Sequence, residues 1–382
     1  MKISICTGSR AEYGILHPLI KAINSEIELD LNLIVTGMHL ATKFGETWKE
    51  ILNDGFTIDA KIPMRVKGDD ADSIAKSVSD GISNASVYFN EKRPDVLIVL
   101  GDRYEIFSVV QAALFHKIPI AHIHGGEVTE GAVDESMRHA ITKMSNIHFT
   151  SSDIYKKRVI QLGESPERVF NIGYLSVEAI KNTELLSKNE LSEIFNIDFN
   201  NDVFLITFHP ETSNWTDNLD VIKNIISSAE TFNSKLVITK SNADEGGIRL
   251  NEYLDSYARK NKDRVVVREN LGSKKYYSVM NQSKVVIGNS SSGIIEAPVF
   301  GVPTVNIGDR QKGREKAQSI IDCEIDKGSI VAAIKEALKS STKVNAEKES
   351  RRLTGINSSE QIVNILKSID LKNITQKKFH DI

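Results

Sequence analysis

The chain has 382 residues, of which 40% are hydrophobic and 26% are charged, so its length predicts two or three domains and its composition predicts ordinary globular ones. A net charge of −3 gives no electrostatic support for nucleic-acid binding, which needs a strongly basic surface. No apolar run approaches the roughly 18 residues of a membrane span, and the first residues do not resemble a signal peptide. With only two cysteines, Cys6 and Cys323, far apart in apolar segments, we expect a cytoplasmic protein with reduced thiols.

Short apolar runs alternate with amphipathic helical patterns along the chain. Ten runs predict strands, at 2–7, 31–36, 95–101, 119–124, 147–152, 203–208, 235–240, 264–267, 284–289 and 303–308. Consecutive apolar positions are typical of strands buried on both faces of a parallel sheet. The strand–helix alternation therefore predicts an α/β protein with doubly wound parallel sheets.

A polar segment at 185–202 separates two such series and is interpreted as a linker. We predict an N-terminal Rossmann-like domain over 1–180 and a C-terminal Rossmann-like domain over 181–357. The pattern at 358–370 predicts a last helix that begins with a serine cap, and the polar residues after it predict a frayed tail up to residue 382.

Loops that follow the predicted strands are the places to look for a site, because open parallel sheets bind ligands at the carboxyl ends of their strands. The loop at 7–14 has small turn residues, and its Arg10 is either an anion ligand or a solvated turn arginine. Asp102 and Arg103 follow the strand at 95–101. Asp102 is either a site carboxylate or the N-cap of the next helix.

The segment 121–139 concentrates histidines and carboxylates around two adjacent glycines. A metal site, an acid–base centre and an ordinary loop are all compatible with this composition. His122 and His124 alternate on a predicted strand, so their side chains point to opposite faces and do not share one ion easily. We therefore expect no metal, with His122 facing the core and His124 facing a ligand.

In the second half, His209 precedes Pro210 at a strand end and is either structural or part of a site. Asn242 and Asp244 follow the next strand, where both residue types also suit a plain turn. The segment 286–310 is more informative, because a strand ends in Gly-Asn-Ser-Ser-Ser-Gly and leads into a helix that holds Glu296. Backbone N–H groups and hydroxyls at a helix N-terminus bind anions, and the carboxylate suits a ribose diol, so this segment predicts a nucleoside diphosphate site.

Nine motifs in order carry a resemblance to a known family. They are TGSRAEYG, VTGMH, GDRYE, HIHGGE, DESMRHAITKMS, FHPET, SNADEG, GNSSSGIIEAP and NIGDRQKGR, between residues 7 and 314. The chain resembles the hydrolysing UDP-N-acetylglucosamine 2-epimerases of bacterial sialic acid biosynthesis. The resemblance implies a glycosyltransferase-B-like fold, in which two Rossmann-like domains face a cleft and a C-terminal helix, within 358–382, packs back on the first domain.

The resemblance also implies a reaction. UDP-N-acetylglucosamine and water would give N-acetylmannosamine and UDP, by anti elimination to a glycal followed by syn addition of water. The family works without a cofactor or an essential metal and usually as a homodimer or homotetramer, and neither nucleic acid nor a membrane is expected as a partner.

Motif by motif, the resemblance assigns roles to residues of this chain. The residues implied in catalysis are Asp102, His124, Glu127, Asp134 and His209, of which His209 would stabilise the departing diphosphate. The residues implied in binding the UDP-sugar are Arg10, Gly14, Arg103, His209, Asn242, Leu271, Ser290, Ser291, Gly293, Glu296 and Arg310.

Three positions depart from family patterns. His124 stands where many members have glutamate, and a histidine near pKa ~6.5 is a competent acid–base group at neutral pH. Ile15 stands where non-hydrolysing relatives have lysine, which favours the hydrolysing branch. Gly14 stands where animal hydrolysing enzymes have serine, so one nucleotide contact is missing or made by backbone.

Other functions fit parts of the same pattern. Relatives in legionaminic acid pathways perform this chemistry on UDP- or GDP-linked N,N'-diacetylbacillosamine. A glycosyltransferase on the same scaffold would bind the same donor, but it would leave the carboxylates near C2 of the sugar unexplained. A non-catalytic nucleotide-sugar sensor is disfavoured, because Asp102 and Asp134 are both present.

Overall fold

The computed structural model describes residues 1–65, 70–128, 133–210, 218–240, 247–269 and 271–382. The chain forms two compact units, one of Met1–Ala179 with Ile356–Ile382 and the other of Ile180–Gly355. Each unit contains one parallel sheet with helices packed on it. The predicted α/β class is therefore confirmed.

The sheet of the first unit has seven strands in the order β3-β2-β1-β4-β5-β6-β7. These strands are β1 Lys2–Thr7, β2 Asp30–Thr36, β3 Ala60–Ile62, β4 Val96–Leu100, β5 Ile120–Ile123, β6 Ile147–Thr150 and β7 Val169–Asn171. The helices are α1 Arg10–Asn24, α2 Trp48–Asn53, α3 Ala71–Glu91, α4 Tyr104–Phe115, α5 Val133–Met144, α6 Asp153–Gln161 and α7 Leu175–Lys181, with α15 Ser358–Ser368 near the end of the chain.

Both faces of this sheet are covered by apolar cores, as consecutive apolar residues in the strands predict. In β4, Val96, Ile98 and Leu100 enter one core, while Leu97 and Val99 enter the core on the opposite face. The first core also contains apolar residues of α1 and α15, and the second contains those of α3 and α4. The carboxyl ends of β4, β5 and β6 are thereby fixed side by side.

The second unit repeats this plan with six parallel strands in the order β10-β9-β8-β11-β12-β13. They are β8 Val203–Thr207, β9 Lys235–Thr239, β10 Val265–Arg268, β11 Val285–Gly288, β12 Thr304–Ile307 and β13 Ile320–Cys323. The helices are α8 Lys188–Phe195, α9 Asn218–Ala229, α10 Gly247–Lys260, α11 Gly272–Gln282, α12 Ser291–Ile295, α13 Lys327–Ala337 and α14 Ser340–Thr354. Phe204 and Ile206 of β8 face one core, and Val203 and Leu205 face the other.

Several local features differ from the sequence-based predictions. The segment interpreted as a linker contains α8, where Ser187 and Glu190 form a capping box and Leu191 is buried. The serine cap predicted for α15 is wrong, because Asn357 is the N-cap residue and makes no side-chain cap hydrogen bond. Instead, the N–H group of Ser359 donates to Glu178 Oε2 at 2.9 Å.

The tail after α15 also differs from the frayed segment that its polarity predicts. Lys377 Nζ lies 2.6 Å from Glu164 Oε2 and donates to the carbonyl oxygens of Lys143 at 2.8 Å and Ser145 at 2.6 Å. The N–H group of His380 donates to Gly163 O at 2.9 Å. Charge pairing with a buried glutamate thus holds this polar segment on the first unit.

Within the described ranges, none of the helices combines the length and apolar character that a membrane span requires.

Candidate active site

Three neighbouring strands of the first unit are each followed by a polar residue at the same edge of the sheet. Asp102 follows β4, His124 follows β5, and Ser151 follows β6. Because these strands are adjacent and parallel, their carboxyl ends present the three side chains at one edge of the sheet. Glu127 lies in the loop that follows His124, and Asp134 lies in the first turn of α5.

Arg138 of α5 joins the predicted carboxylates. Its Nη2 donates to Asp102 Oδ2, and its Nη1 donates to Glu127 Oε2 at 3.3 Å. Glu127 Oε1 accepts a hydrogen bond from Ser151 Oγ at 2.7 Å and lies 3.5 Å from His124 Nδ1. Asp102, Glu127 and His124, which the resemblance names separately, therefore lie in one connected group.

Arg138 was not predicted as a site residue, although its position in the sequence indicates that it lies near Asp134. The residue lies four positions after Asp134 in a helix, so both side chains share one face. A buried arginine near two carboxylates is expected to neutralise them, and Arg138 is only 5% exposed. Ser151 was also missed, because a serine after a strand is too common to mark a site.

Asp102 does not cap α4, which removes that alternative. The N-cap residue is Arg103, and no side chain caps this helix end. Burial raises the pKa of Asp102 above its ordinary value, with further upward contributions from Asp134 and Glu127, while Arg138 opposes them. Asp102 is therefore a buried carboxyl group that holds its proton more readily than an exposed aspartate does.

His122 is fully buried, as expected, and lies beside this group without belonging to it. Its Nε2 donates to Gly101 O at 2.7 Å, and burial lowers the pKa of His122 to about 3, so the ring is neutral. His139 pairs with Glu135 one turn away on α5 at 3.1 Å. Among the described residues no group of histidine, cysteine and carboxylate side chains is arranged to hold a metal ion.

Arg103 is held by a second buried acidic pair at the same edge. Its Nη2 donates to Glu105 Oε1 at 3.0 Å, and its Nε lies 3.9 Å from Glu12 Oε1. Burial raises the pKa of Glu12 to about 8, although the N–H group of Gly8 and the charge of Arg103 lower it. A Cβ at Gly37, where φ is +56°, would lie 2.5 Å from Glu105 Cγ. The close packing of residue 37 against the Glu105 side chain therefore requires glycine.

The other candidates in the α1 region lie at the surface of the first unit. Arg10 Nε is 2.9 Å from Glu50 Oε2, with both side chains about half exposed. A Cβ at Gly14 would have no neighbouring atom within 4 Å. Neither residue belongs to the Arg138 group.

In the second unit, the ends of β8 and β11 are tied together by one buried side chain. The N–H group of His209 donates to Asn289 Oδ1 at 2.8 Å, and Asn289 Nδ2 donates back to His209 O at 2.8 Å. Arg310 Nη1 donates to Asn289 O at 3.1 Å. A Cβ at Gly288 would lie 1.9 Å from Thr207 O, so only glycine allows this close approach of the two strands. Asn289 thus fixes two predicted site residues.

Hydroxyl groups line the start of α12. Ser290 is its N-cap and accepts from the N–H group of Ser292 at 3.4 Å, while Ser292 Oγ is 2.5 Å from the hydroxyl of Tyr276. Ser291 is the first residue of the helix. Gly293 packs against β12, where a Cβ would lie 2.8 Å from Thr304 Cγ2.

The helix that was predicted to hold Glu296 ends before it. Glu296 is the C-cap of α12, and a 3₁₀ turn over Ala297–Phe300 follows. Burial raises the pKa of Glu296 to about 7, and the Tyr277 hydroxyl, which donates to Oε1 at 3.4 Å, opposes the rise. Leu271 is the buried N-cap residue of α11. Asn242 and Asp244 lie outside the described residues.

The two units, each a parallel sheet with helices packed on it, define an α/β protein of the glycosyltransferase-B-like class. A solved UDP-GlcNAc 2-epimerase from Neisseria meningitidis, bound to UDP-GlcNAc, has a TM-score of 0.80 at 20% identity over 97% of this chain and 100% of that one. This likeness confirms the predicted fold class.

The chain belongs to the UDP-N-acetylglucosamine 2-epimerase family, whose model matches residues 21–367. It is 46% identical to the GDP/UDP-N,N'-diacetylbacillosamine 2-epimerase (hydrolyzing) of Campylobacter jejuni over 85% of each chain. It is 39% identical to polysialic acid biosynthesis protein P7 of Escherichia coli over 100% of this chain and 97% of that one. The predicted family and the prediction of an enzyme are confirmed.

Proposed function

We propose that this protein is a hydrolysing 2-epimerase that acts on a nucleoside-diphosphate-linked 2-acetamido sugar. The observation that carries the proposal is the buried group in which Arg138 joins Asp102 to Glu127 and Glu127 faces His124. Hydrolysis with inversion at C2 needs two proton transfers at one carbon atom. A carboxyl group with a raised pKa and a histidine within one connected group are suited to exchange those protons.

The proposed reaction has two halves. In the elimination, a base removes the C2 proton, the C–H electron pair forms the C1–C2 double bond, and the C1–O bond breaks to release the nucleoside diphosphate. In the hydration, C2 gains a proton on the opposite face and water adds a hydroxyl group at C1. Asp102, His124 and Asp134 are proposed as the acid–base groups, and His209 as the donor that stabilises the leaving diphosphate.

The second unit is proposed to bind the nucleotide. Ser290 and Ser291 offer hydroxyl and N–H donors to phosphate, Glu296 offers a carboxylate to the ribose, and Arg310 offers a positive charge near Asn289. Leu271 and Gly293 are proposed to contact the nucleotide through backbone. Arg10, Gly14 and Arg103 of the first unit and Asn242 remain predicted contacts to the diphosphate or sugar.

Two sugars are candidates. The identity of 46% to an enzyme named for N,N'-diacetylbacillosamine favours that sugar, linked to UDP or GDP. The family description and the Neisseria structure bound to UDP-GlcNAc favour N-acetylglucosamine, with N-acetylmannosamine as the product for sialic acid synthesis. Because closer relatives more often share a substrate, we propose the diacetylbacillosamine nucleotide first and UDP-GlcNAc second.

The first prediction concerns turnover. Purified enzyme is incubated in heavy water with UDP-GlcNAc and with UDP- and GDP-diacetylbacillosamine in parallel, and nucleotide release is followed together with the NMR spectrum of the free sugar. We expect release of nucleoside diphosphate and a C2-inverted sugar that carries deuterium at C2, with a higher kcat/KM for a diacetylbacillosamine nucleotide. A released sugar with hydrogen at C2 would instead indicate glycosyl transfer to water without epimerisation.

The assembly and location complete the proposal. We propose a homodimer or homotetramer, which light scattering on the purified protein would distinguish from a monomer. A cytoplasmic location remains a prediction.

A further inference from the structure

Glu127, to which the family resemblance assigns a catalytic role, is enclosed by protein groups. It is 7% exposed. Ser151 Oγ donates to its Oε1 at 2.7 Å, Arg138 Nη1 donates to its Oε2 at 3.3 Å, and His124 Nδ1 lies 3.5 Å from its Oε1. A carboxylate whose two oxygens already face three protein groups is suited to hold a neighbour in place.

His124 is held in a restricted conformation beside this carboxylate. Its φ is +65°, a left-handed conformation that residues other than glycine rarely adopt. Its N–H group donates to Phe149 O at 2.9 Å, and its ring meets Tyr174 edge-on with ring centroids 6.0 Å apart. These contacts turn Nδ1 toward Glu127 and leave Nε2 on the opposite side of the ring.

We propose that Glu127 is the positioning residue of His124, and that Ser151 and Arg138 hold Glu127 in place. Glu127 then exchanges no proton with the sugar, in contrast to the catalytic role that the family resemblance implies. His124 exchanges the proton at Nε2, and the charge of Glu127 stabilises the imidazolium ring. The inference deepens the proposed function and rests on it for its kinetic part.

The proton balance of this arrangement is simple. In one half of the reaction His124 accepts a proton at Nε2 and becomes positively charged, with that charge 3.5 Å from Glu127 Oε1. The other proton transfer takes place on the opposite face of C2 and uses another group, so the proton on Nε2 passes to water between turnovers and the ring returns to neutral. A carboxylate near the other ring nitrogen favours the charged ring and fixes its orientation.

Other charged or titratable groups surround Glu127 and His124, and the substitutions used in the test leave these groups in place. Glu127 or His124 interacts with Asp102 after β4, His122 in β5, Arg138 on α5 and Tyr174 after β7, and Tyr174 in turn interacts with Tyr155 on α6. Asp102 remains paired with Arg138 when Glu127 is altered, so the arginine keeps a partner.

The test begins with a measurement that needs no substrate. Protein labelled with carbon-13 at histidine Cε1 is titrated by NMR, and His124→Asn identifies the His124 signal. We expect Glu127→Gln to lower the pH midpoint of that signal by about one unit, the effect of removing one nearby opposite charge. Glu135→Gln is the matched control, because it alters another glutamate–histidine pair on α5 and is expected to leave the His124 midpoint unchanged.

The kinetic part uses the preferred sugar nucleotide. We expect Glu127→Gln to lower kcat about 100-fold with little change in KM, and to shift the acidic limb of the pH–rate profile together with the NMR midpoint. Ser151→Ala, which deletes one hydrogen bond to Glu127, is expected to lower kcat about threefold to tenfold. Glu135→Gln is expected to keep the wild-type kcat.

Two outcomes would overturn the inference. A wild-type His124 midpoint in Glu127→Gln with turnover lost would make Glu127 a proton-exchanging group. If Glu127→Gln does not fold, Ser151→Ala decides, and a wild-type kcat in that variant would exclude the positioning role. Absence of turnover by the wild-type enzyme on every sugar nucleotide would count against the proposed function, while the NMR comparison would still test the coupling of Glu127 to His124.

Discussion

Glu296 is a carboxyl group whose pKa is shifted from the ordinary value by its surroundings. Burial raises the pKa of Glu296 to about 7, and the hydrogen bond from Tyr277 only partly opposes this rise. The carboxylate form is therefore present above pH 7 and is lost as the pH falls below 7. If this carboxylate accepts hydrogen bonds from a ribose diol, nucleotide affinity must follow its ionisation.

We expect the affinity for UDP to rise about tenfold between pH 6 and pH 8, because the ionised fraction of a group with a pKa near 7 rises from about one tenth to about nine tenths. Isothermal titration calorimetry with UDP measures the change. The terminal phosphate of UDP ionises in the same range, so Glu296→Gln serves as the reference. A rise of equal size in Glu296→Gln would show that the phosphate, and not Glu296, causes it.

At the residue scale, side chains that define a motif could be predicted, and those that connect motifs could not. Asp102 and His124 stand next to predicted strand ends, where parallel sheets place their ligands. Arg138, Ser151 and Asn289 join segments that are far apart in sequence, and their importance depends on contacts that only the folded chain creates. Glu12 and Glu105 were missed for the same reason.

At the scale of elements, α15 begins without a cap of its own and takes one from α7. Glu178 Oε2 accepts from the N–H group of Ser359 at 2.9 Å, and Glu178 Oε1 accepts from the Ser359 hydroxyl. Ser358, which the sequence suggests as the cap, instead donates to Ile172 O at 2.7 Å. The negative charge of Glu178 also favours a helix N-terminus.

We expect Glu178→Ala to destabilise the protein by about 1 kcal/mol, the usual cost of removing a helix cap. Thermal unfolding followed by circular dichroism measures the loss, and hydrogen exchange at 358–362 locates it. Glu167→Ala is the control, because Glu167 is exposed and lies in a short 3₁₀ turn, Pro166–Arg168. Equal melting temperatures for the two variants would show that the cap contributes nothing.

Strands were predicted correctly where burial determines the pattern of apolar residues in the sequence. All ten predicted strands are present, and in each of them buried apolar residues enter at least one core of the sheet. The strands β3, β7 and β13 were missed, because they have three or four residues and a mixed pattern such as Ala-Lys-Ile. Helix α8 was missed because the polar residues of its exposed face outweighed the buried Leu191 and Phe195.

At the scale of the whole molecule, the last residues of the chain complete the first unit. Glu164 is buried with His148, and Lys377 and Lys143 both pair with it. Burial works to raise the pKa of Glu164, but hydrogen bonds from His148, Lys143 and Lys377 prevail and lower it to about 2. Lys377 also donates to carbonyl oxygens at the end of α5, the helix that carries Asp134 and Arg138.

The sign of the pH effect follows from this low pKa. The ordinary value for a glutamate is 4.5, so the stability that Glu164 contributes is complete above about pH 4.5 and is lost as the pH falls toward 2. Removing Lys377 raises the folded-state pKa of Glu164 toward its ordinary value. The free energy of unfolding of the variant therefore decreases less than that of the wild type as the pH falls.

We therefore expect Lys377→Met to destabilise the protein by about 2 kcal/mol at pH 7, the contribution of a hydrogen bond to a charged group. Thermal unfolding measures the difference, which should narrow between about pH 5 and pH 2.5 because Glu164 becomes protonated there. Hydrogen exchange at 140–147 should accelerate, since the end of α5 loses its partner. Lys378→Met is the matched control, because the adjacent lysine is exposed. If both variants melt alike, or if the difference is constant with pH, Lys377 does not anchor the tail through Glu164.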